Sequence, residues 1–320
     1  MTLPRYYVVP VTTTQGERTK RRWVQAVCAP FRTIAPVLAA RGSFRQSTRG
    51  GGRDGAVDAG SMAKLMESRV TLTTIALSGG AGILGGAMNA LAGGGTFATL
   101  PALIALGLPA NTANATSNVA LLPGAATSSW AFRRELSPVG GVNVGLLAGI
   151  TFVGALAGSA LLVVTPTRVF DLLIPWLLLM ALVVIAFGSR AAEALHARVT
   201  IGPRALIAAQ SLLGVYGGYF GGGVGLMMTA VYGLLASVSP RALFAPRTLM
   251  LGVANAAAAV VFISTGLVAW AAAVPMLFGA IVGGWIGAVI GKRLSPGVVR
   301  GWTLFVTAAT TIVFFLRAYF

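Results

Sequence analysis

From Val70 to Phe320 the chain repeats one pattern: a long apolar run, a short polar or glycine-proline break, then another apolar run. Most of the runs reach the roughly 20 residues that an α-helix needs to cross a bilayer. The pattern predicts helices over 70–91, 96–107, 112–132, 139–163 and 169–188. A polar loop is expected at 189–203, followed by helices over 204–220, 224–237, 244–264, 268–291 and 297–317. The expected fold class is therefore an all-α polytopic membrane protein.

Two of the apolar runs end in three consecutive glycines: Gly93, Gly94 and Gly95 in one, Gly221, Gly222 and Gly223 in the other. Glycine disfavours helix by about 1 kcal/mol per residue relative to alanine. Unwound backbone persists inside a membrane only where protein or a water-filled cavity surrounds it. The segment after each triplet is too short to cross a core of about 30 Å at about 1.5 Å per residue. Each segment is expected to be a re-entrant half-helix. The order of elements is the same on both sides of residue 190, which predicts two homologous halves, each of about four transmembrane helices plus one glycine-broken half-helix. Four crossings per half make the halves parallel.

The fourth helix of each half carries glycines at helical spacing: Gly141, Gly145, Gly149, Gly154 and Gly158 in one, Gly279, Gly283, Gly287 and Gly291 in the other. Such ladders let another backbone approach closely, within one subunit or between two, so a homo-oligomer is a possible partner. The domain reading is a basic tail at 1–68, a first transmembrane repeat at 69–189, a polar loop at 190–203 and a second repeat at 204–320.

Composition agrees with the membrane reading. The chain is 56% hydrophobic and 10% charged, with mean hydropathy +0.82. Net charge is +17, which invites a nucleic-acid reading. The basic residues sit instead in the tail and in short loops, where they set membrane orientation, so no nucleic-acid partner is expected. With the tail on the cytoplasmic side, Arg133, Arg134, Arg190, Arg198 and Arg204 also fall inside. Lys292, Arg293 and Arg300 then fall outside, against the rule. Residues 1–68 lack a membrane-length run and a signal-peptide core. They read as a disordered arm, as an Arg-rich transit segment, or, the preferred expectation, as lying ahead of a true start at Met62 or Met66. The lone Cys28 permits no intrachain disulfide, and the lone His196 lies in a polar stretch. No metal site, cofactor or enzymatic centre is expected. Gly80, Gly82 and Gly85 match the dinucleotide GxGxxG spacing, but no strand precedes them and no acidic residue follows before Arg134.

In two long segments the chain resembles the TauE/SafE family of sulfite-exporter-like permeases. The first is GGAMNALAGGGTFATLPALIALGLPANTANATSNVALLPGA. The second is GVYGGYFGGGVGLMMTAVYGLL with LFAPRTLMLGVANAAAAVVFISTGLVAW and GAIVGGWIGAVIGKRLSP. The resemblance spans about residues 72–318 and implies transport of sulfite, sulfonates or other organosulfur anions, with proton coupling. Asn89 stands where some members carry Asp, and Arg247 where the closest subgroup has Lys.

The residues themselves favour an anion. Beyond the tail the acidic residues are Glu135, Asp171 and Glu193, all near expected helix ends, so the interior offers no carboxylate for a cation or a proton. A half-helix starting after Gly95 or Gly223 presents free N–H groups and partial positive charge. Asn114, Thr116, Ser117 and Asn118 start the third element, and Arg247 with Thr248 are their counterpart in the second half. Hydroxyls and amides donate to oxyanions, and arginine adds a bidentate, charge-assisted bond. Asn89 and Asn255 lie in apolar surroundings and either cap broken backbone or touch substrate. The candidate binding set is thus Asn89, Gly93, Gly94, Gly95, Asn114, Thr116, Ser117, Gly221, Gly222, Gly223, Arg247, Thr248 and Asn255. Gln210 and Asn143 are expected to bond neighbouring helices, and Trp130, Trp176, Trp270 and Trp302 to anchor helix ends at the interface. The expected function is an inner-membrane permease for small anions, driven by a gradient through alternating access of the two halves. The alternatives are a passive anion channel, a non-transport membrane subunit and, least favoured by composition, an intramembrane enzyme.

Overall fold

The computed structural model describes residues 59–196, 202–236, 242–291 and 293–320. Ten α-helices follow one another among these residues: α1 Ala59–Ala92, α2 Thr96–Ala105, α3 Ala110–Ala131, α4 Val144–Val164, α5 Thr167–His196, α6 Pro203–Tyr219, α7 Val224–Ala236, α8 Phe244–Ser264, α9 Trp270–Gly291 and α10 Pro296–Tyr319. A short 3-10 turn, Arg133–Glu135, follows α3. Local chemistry places the boundaries. Gly107, at φ +86°, and Pro109 separate α2 from α3. The Asn143 side chain caps α4 by accepting from Gly145 N at 2.7 Å, so it serves its own helix rather than a neighbour. Ser295 and Pro296 start α10, and Gly266, at φ +68°, ends α8.

Two boundaries differ from the sequence expectation. Helix α1 reaches back to Ala59, so Met62 and Met66 lie within it. Helix α5 continues to His196, which turns residues 189–196 of the expected loop into helix. Arg198, Arg241, Lys292 and the tail up to residue 58 lie outside the described residues.

Among the described residues six helices are long and apolar enough to cross a membrane: Thr71–Ala92, Val144–Val164, Thr167–Gly188, Phe244–Ser264, Trp270–Ile290 and Gly297–Tyr319. They turn large apolar side chains outward, among them Leu84, Val153, Phe187, Phe278, Trp285 and Phe305. Such a surface suits lipid and not water. Helix α3 is more polar and largely buried, and it occupies the interior of the bundle.

Glycine decides which helices pair. α1 lies along α9, where a Cβ on Gly82, Gly86, Gly279 or Gly283 would come within 2.2 Å of a carbonyl oxygen on the facing helix. α4 lies along α6 in the same way, with Gly158 against the Val215 carbonyl at 2.0 Å and Gly218 against that of Ala155 at 2.1 Å. Gly154, Gly158, Gly279, Gly283 and Gly287 of the expected ladders therefore pack inside one chain. Gly141, Gly145 and Gly149 take no part: Gly141 precedes α4, and a Cβ on any of the three would meet no other helix within 4 Å. Gly82 and Gly85, the false dinucleotide signature, are packing residues against α9 and α2. Gln210 does tie helices together: it donates to Thr151 of α4 and accepts from Tyr232 of α7 at 2.7 Å.

The same contacts fix chain direction. Gly82 meets Met276 and Ala87 meets Gly287, so α1 and α9 are parallel; Gly154 meets Ser211 and Gly158 meets Tyr219, so α4 and α6 are parallel. Ser129 bonds Thr248 while Ala125 meets Gly252, so α3 and α8 are antiparallel. Arg300 bonds the Ala186 carbonyl at 2.9 Å, and at the other end Arg317 approaches Asp171 at 3.7 Å, so α5 and α10 are antiparallel. Thr99 meets both Gly85 and Ser117, so α2 turns back along α1 and runs opposite to α3. Followed along the chain, α1 and α2 form a hairpin open toward one end of the bundle, which here is end A. α6 and α7 form a hairpin open toward the opposite end, end B. Between and after the hairpins, α3–α5 and α8–α10 each run end to end three times. The two sets thus run in opposite senses, α1 starting at end A and α6 at end B, where the sequence expectation has them parallel.

Candidate functional site

Both glycine triplets interrupt helix, and the two breaks touch. Gly93 has φ +76°, and a Cβ there would lie 2.8 Å from Gly225 Cα. Gly221 and Gly223 have φ +72° and +73°, and a Cβ on Gly223 would lie 2.6 Å from the Phe97 ring. No side chain but hydrogen fits these contacts, and left-handed backbone favours glycine independently. All six triplet glycines are buried. Leu121, midway along α3, touches the first break, and Asn118, one turn earlier, touches the second.

Each half-helix begins with free donors. Among the described residues the amides of Gly94, Gly95 and Thr96 take no acceptor, nor do those of Val224, Gly225 and Leu226; the first bonded amides are Phe97 and Met227. Gly95 carries no side-chain cap. These are the orphan donors of a helix N-terminus, held here in the protein interior.

A polar chain leads into each break. At the first, Ser117 bonds Thr99, whose hydroxyl donates to the Gly95 carbonyl at 3.2 Å. At the second, Arg247 donates from its guanidinium to Thr229 Oγ1 at 3.4 Å, and Thr229 donates to the Gly225 carbonyl at 3.0 Å. Arg247 is only 7% exposed and lies over the Phe244 ring at 4.6 Å. The ion pair among the described residues belongs to Arg317 and Asp171, so Arg247 is a buried cation without a carboxylate. An unpaired buried charge is costly, and a membrane-embedded ionisable residue usually marks a functional path.

The remaining sequence candidates divide. Thr116 accepts from Ala269 N at 3.0 Å and so caps the start of α9. Thr248 bonds back to the Phe244 carbonyl at 2.7 Å, while its own carbonyl accepts from Ser129 at 2.9 Å; both are structural bonds. Asn89 is half-buried beside Gly95 and Asn255 is buried in α8, and neither amide has a hydrogen bond among the described residues. Asn114 donates to the Tyr219 carbonyl at 3.1 Å, at the mouth of the second break. Gly94 and Gly222 sit against the Phe97 and Phe220 rings.

Three contributors were absent from the sequence set. Thr99 and Thr229 each lie four residues after a glycine of their break, a spacing at which a hydroxyl reaches the carbonyl one turn back. Tyr216 donates to the Gly222 carbonyl at 2.7 Å and pins the second break. A tyrosine five residues before a glycine run carries no such signal by itself. The depression lined by Arg168, Asp171, Leu172, Phe314, Arg317 and Ala318 lies at end A of α5 and α10, away from these residues.

The family model described as "Sulfite exporter TauE/SafE" matches residues 78–314. "Probable membrane transporter protein YfcA" of Escherichia coli (strain K12) is 28% identical over 214 residues, covering 66% of this chain and 77% of that protein. A "Probable membrane transporter protein" of Haemophilus influenzae (strain ATCC 51907 / DSM 11121 / KW20 / Rd) is 27% identical over 221 residues, covering 68% and 86%. "Probable membrane transporter protein ORF9" of Sinorhizobium sp is 25% identical over 235 residues, covering 72% and 88%. No solved structure matches.

Proposed function

The chain belongs to the sulfite exporter TauE/SafE family of membrane transporters, and from that premise we propose that it is a gradient-driven permease for small oxyanions of the sulfite and sulfonate type. The observation that carries the anion reading is Arg247, a buried guanidinium with no carboxylate, joined through Thr229 to the first turn of α7. Free amides at that turn and at the start of α2 add donors and partial positive charge. A planar guanidinium matches two oxygens of a sulfonate at once. The anion binds beside the junction of the breaks and not between Gly93 and Gly225, whose backbones already touch.

Alternating access needs two bodies. In our reading these are mixed bundles, one of α1, α2, α3 and α9, the other of α4, α6, α7 and α8. The fourth helix of each set is locked by glycine to the first helix of the other, so rocking one sequence half against the other would tear both glycine seams. The bundles meet at α3 against α8 and at the two breaks. The hairpins make the sets inverted repeats, the arrangement in which one rocking motion exchanges which side is open.

Orientation follows from charge. Arg133, Arg134, Arg190, Arg204, Arg293 and Arg300 fall at end B, and Lys64, Arg69, Arg168 and Arg317 at end A. The positive-inside rule makes end B cytoplasmic in a bacterial inner membrane, which removes the conflict over Arg293 and Arg300 and puts the start of α1 at the outer side, the reverse of the sequence expectation.

The test is exchange in vesicles. Purified protein reconstituted in liposomes is to be loaded with unlabelled sulfite, taurine, sulfoacetate, sulfate or acetate and assayed for uptake of labelled sulfonate or sulfite. Saturable counterflow limited to sulfur oxyanions is the expected result. Conductance at channel rates without counterflow would overturn the carrier reading, and equal exchange of acetate would overturn the substrate class.

A further inference from the structure

The second break holds acceptors that an anion does not use. The side-chain oxygens of Asn114 and Asn118 are buried, and neither accepts a hydrogen bond from the protein. A buried amide oxygen without a donor is costly, and most buried polar atoms find a partner. Here two of them stand four residues apart on one face of α3, both against the C-terminal end of α6. The Asn114 amide nitrogen is committed to the Tyr219 carbonyl at 3.1 Å, which fixes that side chain so that its oxygen is the free end. The Asn118 amide lies 3.0 Å from where a Gly221 Cβ would be.

The end of α6 supplies further oxygens. Gly221 N bonds back to Tyr216 O at 3.3 Å, skipping Gly217, and Phe220 N bonds to the same carbonyl at 2.9 Å. The carbonyls of Gly217 and Gly218 are thereby left without a donor among the described residues. A helix C-terminus carries partial negative charge, and in transporters with broken helices such ends hold coupling cations while the opposing N-termini hold substrate. The first break differs: Ser117 and Thr99 are bonded to each other and to Gly95, and the unbonded Asn89 beside it is only half-buried.

We infer that Asn114, Asn118 and the C-terminal carbonyls of α6 form a binding site for a monovalent cation, with Na⁺ the ion of fitting chemistry. The donor set is all neutral oxygen, which lacks the carboxylates that a calcium site draws on. It also contains no group that titrates near neutral pH, so it binds an ion and does not relay a proton. Loading this site with Na⁺ beside the α7 N-terminus lowers the cost of bringing an anion to Arg247. The inference extends the permease reading by naming the ion that drives it, and its test requires no anion substrate.

The experiment uses the full chain in detergent with chloride as the constant anion. Thermal unfolding is followed by tryptophan fluorescence in NaCl, KCl and N-methylglucamine chloride at one ionic strength. A saturable rise in Tm with Na⁺ alone is expected by linkage. Asn114→Ala and Asn118→Ala should each weaken the apparent Na⁺ affinity about tenfold or more, in line with loss of one charge-assisted contact. Asn118→Asp should retain or raise it, while exposed Ser264→Ala should leave it unchanged. Should the alanine variants not fold, equilibrium binding of ²²Na⁺ to the unmodified protein decides the matter, with about one displaceable ion per chain supporting the site. Equal melting in all three cations, or no displaceable ²²Na⁺, overturns the inference. Arg247→Ala should keep the Na⁺ shift, so failure of the anion reading and failure of the cation site give different results.

Discussion

Arg247 tests the site at the scale of one residue. Its charge, and its reach to Thr229, are separable. Arg247→Lys keeps the charge but loses the planar fork, so anion affinity should fall about tenfold, about 1.4 kcal/mol. Arg247→Ala should abolish saturable exchange while the protein still inserts and stays monodisperse. Exchange by the alanine variant at the normal rate would remove Arg247 from the anion path. Gly93→Ala meets two obstacles, left-handed backbone and the Gly225 Cα at 2.8 Å, and should cost about 1–3 kcal/mol by overpacking alone. Size-exclusion profiles and Tm check it. In the sequence, Arg247 stood out as the second-half counterpart of the polar run at 114–118 and as a bidentate donor to an oxyanion. Thr116 stood out for the same polarity, yet its hydroxyl is spent on the Ala269 amide. Residue type says what a side chain offers, but only its neighbours say who accepts the offer.

At the scale of the element, the same residue has opposite expected effects on two helices. Gly283→Ala would press a methyl into the Ile83 carbonyl, 1.9 Å away. Neither backbone can retreat without opening the α1–α9 seam, so the variant should lose about 1–3 kcal/mol. Gly149→Ala enters open space on α4 and should be neutral or gain about 0.5–1 kcal/mol from helix propensity. Melting of the two variants side by side checks the pair; equal shifts would mean that the seam does not carry the packing. Both glycines belong to ladders of the same spacing, so the periodicity was legible and the partner was not. Helix boundaries were legible because caps, prolines and glycines act on their own turn. The extension of α5 to His196 was missed because a polar surface does not prevent a helix from continuing.

For the whole molecule the prediction concerns sidedness. On a Cys28→Ser background, single cysteines at Glu135 and Leu294 should react with a membrane-impermeant maleimide only from the cytoplasm, and one at Arg168 only from outside. Reaction of Glu135 and Leu294 from opposite sides would restore parallel sets and remove the inverted arrangement. The two hairpins are the reason for the difference. Counting each long apolar run as a crossing is a local rule. It cannot see that α2 turns back along α1, because the evidence lies in contacts such as Ser117 with Thr99 and Gly95 with Leu121.

By itself the sequence determined a helical membrane protein, the position of nearly every helix and both interruptions, and a family. Those properties depend on hydrophobic length, glycine and proline acting within a turn or two of themselves. Tertiary structure decided which helices interlock, which way each runs, and which polar side chains remain unspent beside the breaks. Gly82 meets Met276 and Asn114 meets Tyr219 across more than a hundred residues of chain. No periodicity along the chain encodes such a meeting; it is set by close packing of backbones that only glycine allows to touch.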